Sequence, residues 1–144
     1  MKLIRLLFAA TAVPFLFVTA AKAEEHKIPV APDEYLKMEN PYAGEADEDL
    51  LKEAGKLYKR KCKKCHGSKG DGKGSSAADL EIKPPDFTKP GYLASVKDGQ
   101  LYYIILKGGS EEAEMEAYGP GTDANLSEDD IWKLVTYIRE KFSH

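Results

Sequence analysis

The clearest apolar repeat runs over Ile131, Leu134, Val135, Ile138 and Phe142, at intervals of three and four residues, and predicts a helix with one buried face. Ser127 and Asp130 form a variant of the S-x-x-E capping box at its start, and Glu128 and Asp129 put negative charge where the helix dipole favours it. Trp132 and Tyr137 add aromatic bulk to the same helix. A second stripe, Leu50, Leu51, Ala54, Leu57, Tyr58 and Cys62, predicts a helix beginning near Asp47, with Lys52, Lys56, Lys59, Arg60 and Lys63 left on its other faces. Residues Asp98 to Lys107 carry Leu101, Tyr102, Ile104 and Ile105 and stop at Gly108-Gly109. The Tyr-Tyr-Ile-Ile-Leu run has the content of a strand, but the glycine stop and the lack of a second strand favour helix. Shorter signals predict a helical turn over Ser76 to Ile82, a short helix over Gly91 to Val96, and a loop from Ser110 to Asn125. The pattern is that of an all-α protein.

Two regions fall outside this periodicity. Lys2 and Arg5 precede an apolar run from Leu6 to Val18 and an Ala21-Lys22-Ala23 cleavage pattern, so residues 1–23 read as a cleaved secretory signal peptide. An uncleaved anchor is the rival reading, but the run is shorter than the ~20 apolar residues that span a bilayer and Pro14 interrupts it. Residues 24–46 contain Pro29, Pro32 and Pro41 and no sustained period, and read as a linker or an arm laid over the surface, with Tyr35, Leu36, Met38 and Tyr42 available to pin it. That leaves 47–144 as the folded domain.

Charge narrows the partners. Without the leader the chain keeps 18 basic and 24 acidic residues, a formal balance of −6, which is the wrong sign for a non-specific nucleic-acid binder. After loss of the leader no stable membrane insertion is expected.

The chemistry is concentrated in Cys62-Lys63-Lys64-Cys65-His66, which holds both cysteines of the chain and one of its three histidines. C-x-x-C-H is the pattern for covalent c-type haem attachment. On a helical turn, residues three and four apart share a face, so two sulfurs can reach neighbouring vinyl groups while His66 turns its imidazole under the iron. A zinc site needs four ligands, and only His26 and His144 remain, one near each end of the mature chain. A thioredoxin-like dithiol calls for a βαβ setting that is absent here, and a Cys62–Cys65 disulfide closes a loop too short to stabilise much. Export supports thioethers as well, since free thiols in an oxidising compartment normally end as disulfides. Gly67, Gly72 and Lys73 have Walker spacing, but Gly74 stands where Ser or Thr should be and no strand precedes the loop. Its glycines are expected to close the backbone around a flat ligand. Pro84 and Pro85 lack N–H groups but offer carbonyls, either of which suits the outer N–H of an iron-bound His66. Asn125-Leu126-Ser127 matches a glycosylation acceptor, with Ser127 already engaged as a helix cap.

One histidine leaves the sixth iron position to fill, and the choice of ligand separates electron transfer from ligand chemistry. Met115 lies 49 residues beyond His66, among Glu111, Glu112, Glu114 and Glu116, a poor setting for a methionine whose task is packing. Met115 is the expected ligand. Met38, His26, His144 and an open position are the alternatives. Lysines and Arg60 crowd the His66 side while the Met115 loop is acidic, so opposed patches are expected to orient docking.

Several segments together resemble the class I monohaem cytochromes c of bacteria. They are Gly55-Lys56-Leu57-Tyr58 before the haem motif and Gly67, Pro85-Asp86-Phe87, Asp98-Gly99-Gln100-Leu101-Tyr102, Met115, Leu126 to Trp132, and Val135-Thr136-Tyr137-Ile138-Arg139, spanning about Asp47 to Phe142. The resemblance implies a small cytochrome c fold of three to five helices around one covalent haem c, with the N- and C-terminal helices crossing and His66 and Met115 as axial ligands. It also implies a periplasmic single-electron carrier rather than an enzyme, monomeric or transiently docked to periplasmic redox proteins that serve as donor and acceptor. The alternative is a haem subunit of a larger oxidoreductase, or a sensor or peroxidase-like protein with a displaceable sixth ligand. Two departures stand out: Ala54 occupies a position commonly glycine at the helix crossing, with Gly55 beside it, and Glu116 follows Met115 where proline is common.

Overall fold

Asp47 accepts a hydrogen bond from the Leu50 N–H at 2.8 Å and starts helix α2 (Glu48–Lys61), as the acidic first turn leads one to expect. The structure is a computed structural model that describes residues 28–143. The expected signal peptide, His26 and His144 lie outside the described residues. In chain order the elements are α1 (Asp33–Leu36), α2, α3 (Lys63–His66), a 3₁₀ turn (Leu93–Ser95), α4 (Asp98–Lys107) and α5 (Glu128–Phe142), with no strand among the described residues. Helix α4 has the bounds its sequence predicts, whereas the Ser76–Ile82 segment is a run of turns and not a helix. No helix among the described residues is long and apolar enough to cross a membrane.

The two stripes read from the sequence meet where α2 crosses α5. Ala54, Ile131, Leu134 and Val135 are wholly buried at or near this crossing. Both small residues of α2 serve the close approach: a Cβ on Gly55 would stand 3.0 Å from the Tyr137 ring, so its absence lets that ring come close to the helix. Tyr58 packs on Tyr137 and Phe142 at centroid distances of 5.4 and 5.3 Å, and Lys133 bridges Glu53 and Asp129 at 3.0 Å each. At the start of α5 the capping box forms as expected, with Ser127 Oγ accepting from the Asp130 N–H and the Asp130 carboxylate accepting from the Ser127 N–H. Helix α4 covers the other side of α5, where Tyr102 stacks on Trp132 at 4.4 Å.

The arm is more ordered than its prolines suggest. Its residues 33–36 form one helical turn on α4, and Tyr35 packs against Tyr103 at 4.9 Å and Tyr102 at 6.3 Å. Ala31 is buried, the Gln100 side chain donates to the Pro29 carbonyl at 3.0 Å, and the Asn40 amide donates to Asp98 and Thr136 at 3.1 Å each. Asp98 in turn receives Arg139 Nε at 2.7 Å, while the rest of that guanidinium donates to the carbonyls of Leu93 and Val96. The arm thus closes a polar network over the α4–α5 contact. Gly99 is what admits it: a Cβ there would lie 1.8 Å from the Tyr35 carbonyl oxygen. Gly99→Ala is expected to lift the arm and cost about 1–3 kcal/mol, read as a lowered melting temperature. An unchanged melting curve would mean that the arm is not seated there.

Candidate haem attachment site

The motif continues the last turn of α2. Cys62 N–H donates to the Tyr58 carbonyl at 2.9 Å and His66 N–H to the Cys62 carbonyl at 2.9 Å, so Cys62 and His66 stand one turn apart on a common face. Gly67, at φ +79°, ends the turn, and Tyr58 Oη donates to its carbonyl at 2.9 Å. The two cysteines are not bridged to each other. Burial pushes the Cys62 thiol up to about 12, with Cys65 adding to the effect. A buried, neutral sulfur environment of this kind suits a thioether. Among the described residues no cluster of His, Cys, Asp or Glu is suited to hold a metal ion by itself.

The glycine-rich loop also caps the motif helix. Gly72, Gly74 and Ser76 donate their N–H groups to the carbonyls of His66, Cys65 and Lys64, at 3.0 Å each. The loop therefore folds back over the C-terminal end of the motif helix and satisfies carbonyls that the helix leaves open. Gly74 must be glycine for this, since a Cβ would lie 2.2 Å from the Lys64 oxygen. With those N–H groups spent, the Walker-like spacing has no phosphate cradle behind it. A Cβ on Gly72 would meet the carbonyls of Pro84 and Pro85 at 2.4 and 3.1 Å, so the diproline is drawn alongside the residue bonded to His66. Phe87, held by its N–H on the Gly70 carbonyl at 2.8 Å, stacks on the His66 imidazole with centroids 4.9 Å apart and planes 13° from parallel.

Met115 lies beyond the C-terminal end of α4. Its carbonyl accepts the Gly109 N–H at 2.9 Å, and Tyr118 and Gly119 donate to the Ile105 and Leu106 carbonyls at 3.0 and 3.3 Å. The loop thus caps α4 as it passes. Its side chain is partly buried against the main core. Tyr118 ties this loop to the motif, donating from Oη to the Lys61 carbonyl at 3.2 Å and lying near enough to feel both cysteine sulfurs. Met38 is exposed and belongs to the arm at the opposite, N-terminal end of α4, about 15 Å away along the helix. Phe87, Leu101, Ile105 and Trp132 are buried and Tyr118 is half-buried; as an apolar and aromatic set they are suited to pack on a porphyrin.

Sequence reasoning missed the positioning roles of Tyr58, Phe87 and Tyr118. Each acts through a contact between residues distant in the chain, and the only local signal was an aromatic residue beside a motif. Burial holds the Tyr92 and Tyr118 phenols up to about 12, above the unfolded value near 10. Between these values the folded chain keeps protons that the unfolded chain has lost, so stability is full below about pH 10 and falls as pH rises through about 12. Melting temperature followed by circular dichroism should drop across that window, and Tyr92→Phe with Tyr118→Phe should flatten the drop.

A helical turn presenting two unbridged cysteines and a histidine, within an all-α domain whose terminal helices cross, defines a c-type haem protein. The cytochrome c family model matches residues 51–141, and the chain belongs to that family. It carries one covalent haem c, through Cys62 and Cys65. No curated protein matches it. Among solved structures it is similar to a Kuenenia stuttgartiensis reducing HAO-like protein complex, at 28% identity and TM-score 0.53 over 67% of this chain. The chain spans 46% of that protein's length. It shares its fold with cytochrome cL of Methylophaga aminisulfidivorans, at 23% identity and TM-score 0.52 over 72% of this chain and 61% of that one. A further match is the c-type cytochrome KustC0563, at 23% identity and TM-score 0.50 over 63% of this chain and 98% of that one.

Proposed function

We propose that the protein is a periplasmic single-electron carrier whose haem iron is held by His66 and Met115. The bound haem supplies a reversible one-electron change at iron. The chain's own residues keep both sides of that iron fixed. Phe87 stacks on the His66 imidazole, and a carbonyl of Pro84 or Pro85 would be the suited acceptor for its outer N–H. Tyr118 and the Gly108-Gly109 turn hold the Met115 loop against the motif. The observation that carries the reading is this double fastening of the Met115 loop, to the end of α4 and to Lys61 just before Cys62. Two strong ligands from His66 and Met115 would let the iron change oxidation state without rearranging, which suits electron transfer. The test is spectroscopic. The oxidised holoprotein should show the weak far-red band of methionine–iron ligation, and the reduced form should not bind carbon monoxide. Ready carbon monoxide binding would sink the carrier reading and favour a sensor or peroxidase-like one.

A second reading, a haem subunit of a larger oxidoreductase, draws on the similarity to a protein whose name describes a complex. Copurification with a stoichiometric larger protein would favour it over a free carrier.

A further inference from the structure

Helix α4 (Asp98–Lys107) is ten residues long, carries Gly99 in its first turn, and begins at Lys97 without a side-chain cap. A helix of that length does not hold itself in water, where about 12–15 residues is already marginal, so its ends depend on what packs against them. Two different segments hold them. At the N-terminal end the arm crosses the first turn. The Tyr35 carbonyl covers Gly99, the Gln100 side chain donates to the Pro29 carbonyl at 3.0 Å, and the Asn40 amide joins Asp98 to Thr136 of α5 at 3.1 Å each. Arg139 adds a tie from α5 to Asp98 at 2.7 Å. At the C-terminal end the Met115 loop folds back on the last turn. Gly108 turns the chain at φ +96°, where a Cβ would lie 2.7 Å from the Met115 carbonyl oxygen, and a Cβ on Gly109 would lie 3.1 Å from that of Met115. The Ile105 and Leu106 carbonyls that receive the loop lie in that last turn, and they stand in place only while it is wound.

We infer that the arm is a positioning element for the sixth ligand, an assignment that rests on the reading of Met115 as that ligand. Seated on the first turn of α4, the arm keeps the helix wound and so keeps its last turn able to hold the Met115 loop. Asn40 and Gln100 are the positioning residues, and Gly99 is the seat. The route is continuous: a short helix with no cap of its own opens as a unit with what is fastened to it, so freeing its first turn loosens the loop fastened to its last. Lifting the arm raises the fraction of molecules with the loop open, and an outside ligand for the iron then binds more tightly in proportion to that fraction. The arm lies before residue 51, where the match to the family begins, so this control is added to the part of the chain that the family model covers.

The test compares three forms of the holoprotein with the parent. Gly99→Ala lifts the arm by a clash, and Asn40→Ala with Gln100→Ala releases it without one. Asp47→Ala removes the cap of α2 and lowers stability away from α4. Alanine is the better helix former, so on α4 alone the Gly99→Ala change would tighten the helix; loosening therefore reports the arm. Amide exchange in the reduced protein, followed at Gly109 and Tyr118, should speed up roughly tenfold or more in both arm variants and stay within about twofold in Asp47→Ala. Imidazole added to the oxidised protein should displace the far-red band at roughly tenfold lower concentration in the arm variants. A far-ultraviolet circular dichroism spectrum like that of the parent confirms that each variant folds. Unchanged exchange at Gly109 and Tyr118 in the arm variants would overturn the inference, and so would equal acceleration in Asp47→Ala, which would make the effect one of overall stability. Faster exchange with unchanged imidazole affinity would overturn the link to the ligand. A parent without the far-red band would sink the ligand reading by itself, while amide exchange would still decide whether the arm holds the loop.

Discussion

Met115→Ala is expected to lose the far-red band, to bind carbon monoxide in the reduced state, and to lower the reduction potential by on the order of 0.1 V or more, within the ~0.8 V that axial ligands command. The change removes the thioether and little else. The loop is fastened through backbone groups, Met115 carbonyl to Gly109 and Tyr118 and Gly119 to the end of α4, and through Tyr118 Oη to Lys61. None of these bonds needs the Met115 side chain. Far-ultraviolet circular dichroism should therefore stay near that of the parent while the haem signals change. A variant that kept both the band and the resistance to carbon monoxide would reject Met115 as ligand, and exposed Met38, at the other end of α4, would then need the same substitution. With Met115 as the proposed ligand, Glu116 in place of a rigid proline would make the methionine easier to displace, and the neighbouring glutamates would favour the ferric charge and offset part of the rise in potential that a methionine ligand confers.

Cys62→Ala with Cys65→Ala is expected to remove the cooperative thermal transition. A domain of about a hundred residues buries a marginal core, and this one spends long stretches on irregular chain. Residues 67–92 and 110–126 contain no helix, and their order comes from bonds that converge on the motif: Gly72, Gly74 and Ser76 on its carbonyls, Phe87 on His66, Tyr118 on Lys61. A covalently held porphyrin supplies apolar surface at that point of convergence and ties it to α2. Without it the ordering entropy of both loops goes uncompensated. The crossed pair α2 and α5 keeps its own core, so residual helix is expected, but with a broad and non-cooperative melt. A sharp transition near that of the holoprotein would refute this.

Much of the fold was legible because helices announce themselves locally. The period of three and four over residues 50–62 and 131–142, the Ser127–Asp130 box and the Gly108-Gly109 stop all act within a turn or two, so α2, α4 and α5 could be read nearly to the residue. The contacts that seat the arm were not legible, for the opposite reason. Its order comes from Gly99, Asn40, Asp98 and Arg139, which lie far apart in the chain and meet only when α4 and α5 have packed.

The site divides in the same way. Attachment of one haem was determined by five consecutive residues, because two thioethers and one ligand need only a single helical turn. Where the Met115 loop lies, what Phe87 does to His66, and why the glycines follow the motif were decided by the tertiary structure. Those depend on backbone groups of one segment answering open carbonyls of another, and such pairing leaves no periodic trace in the sequence.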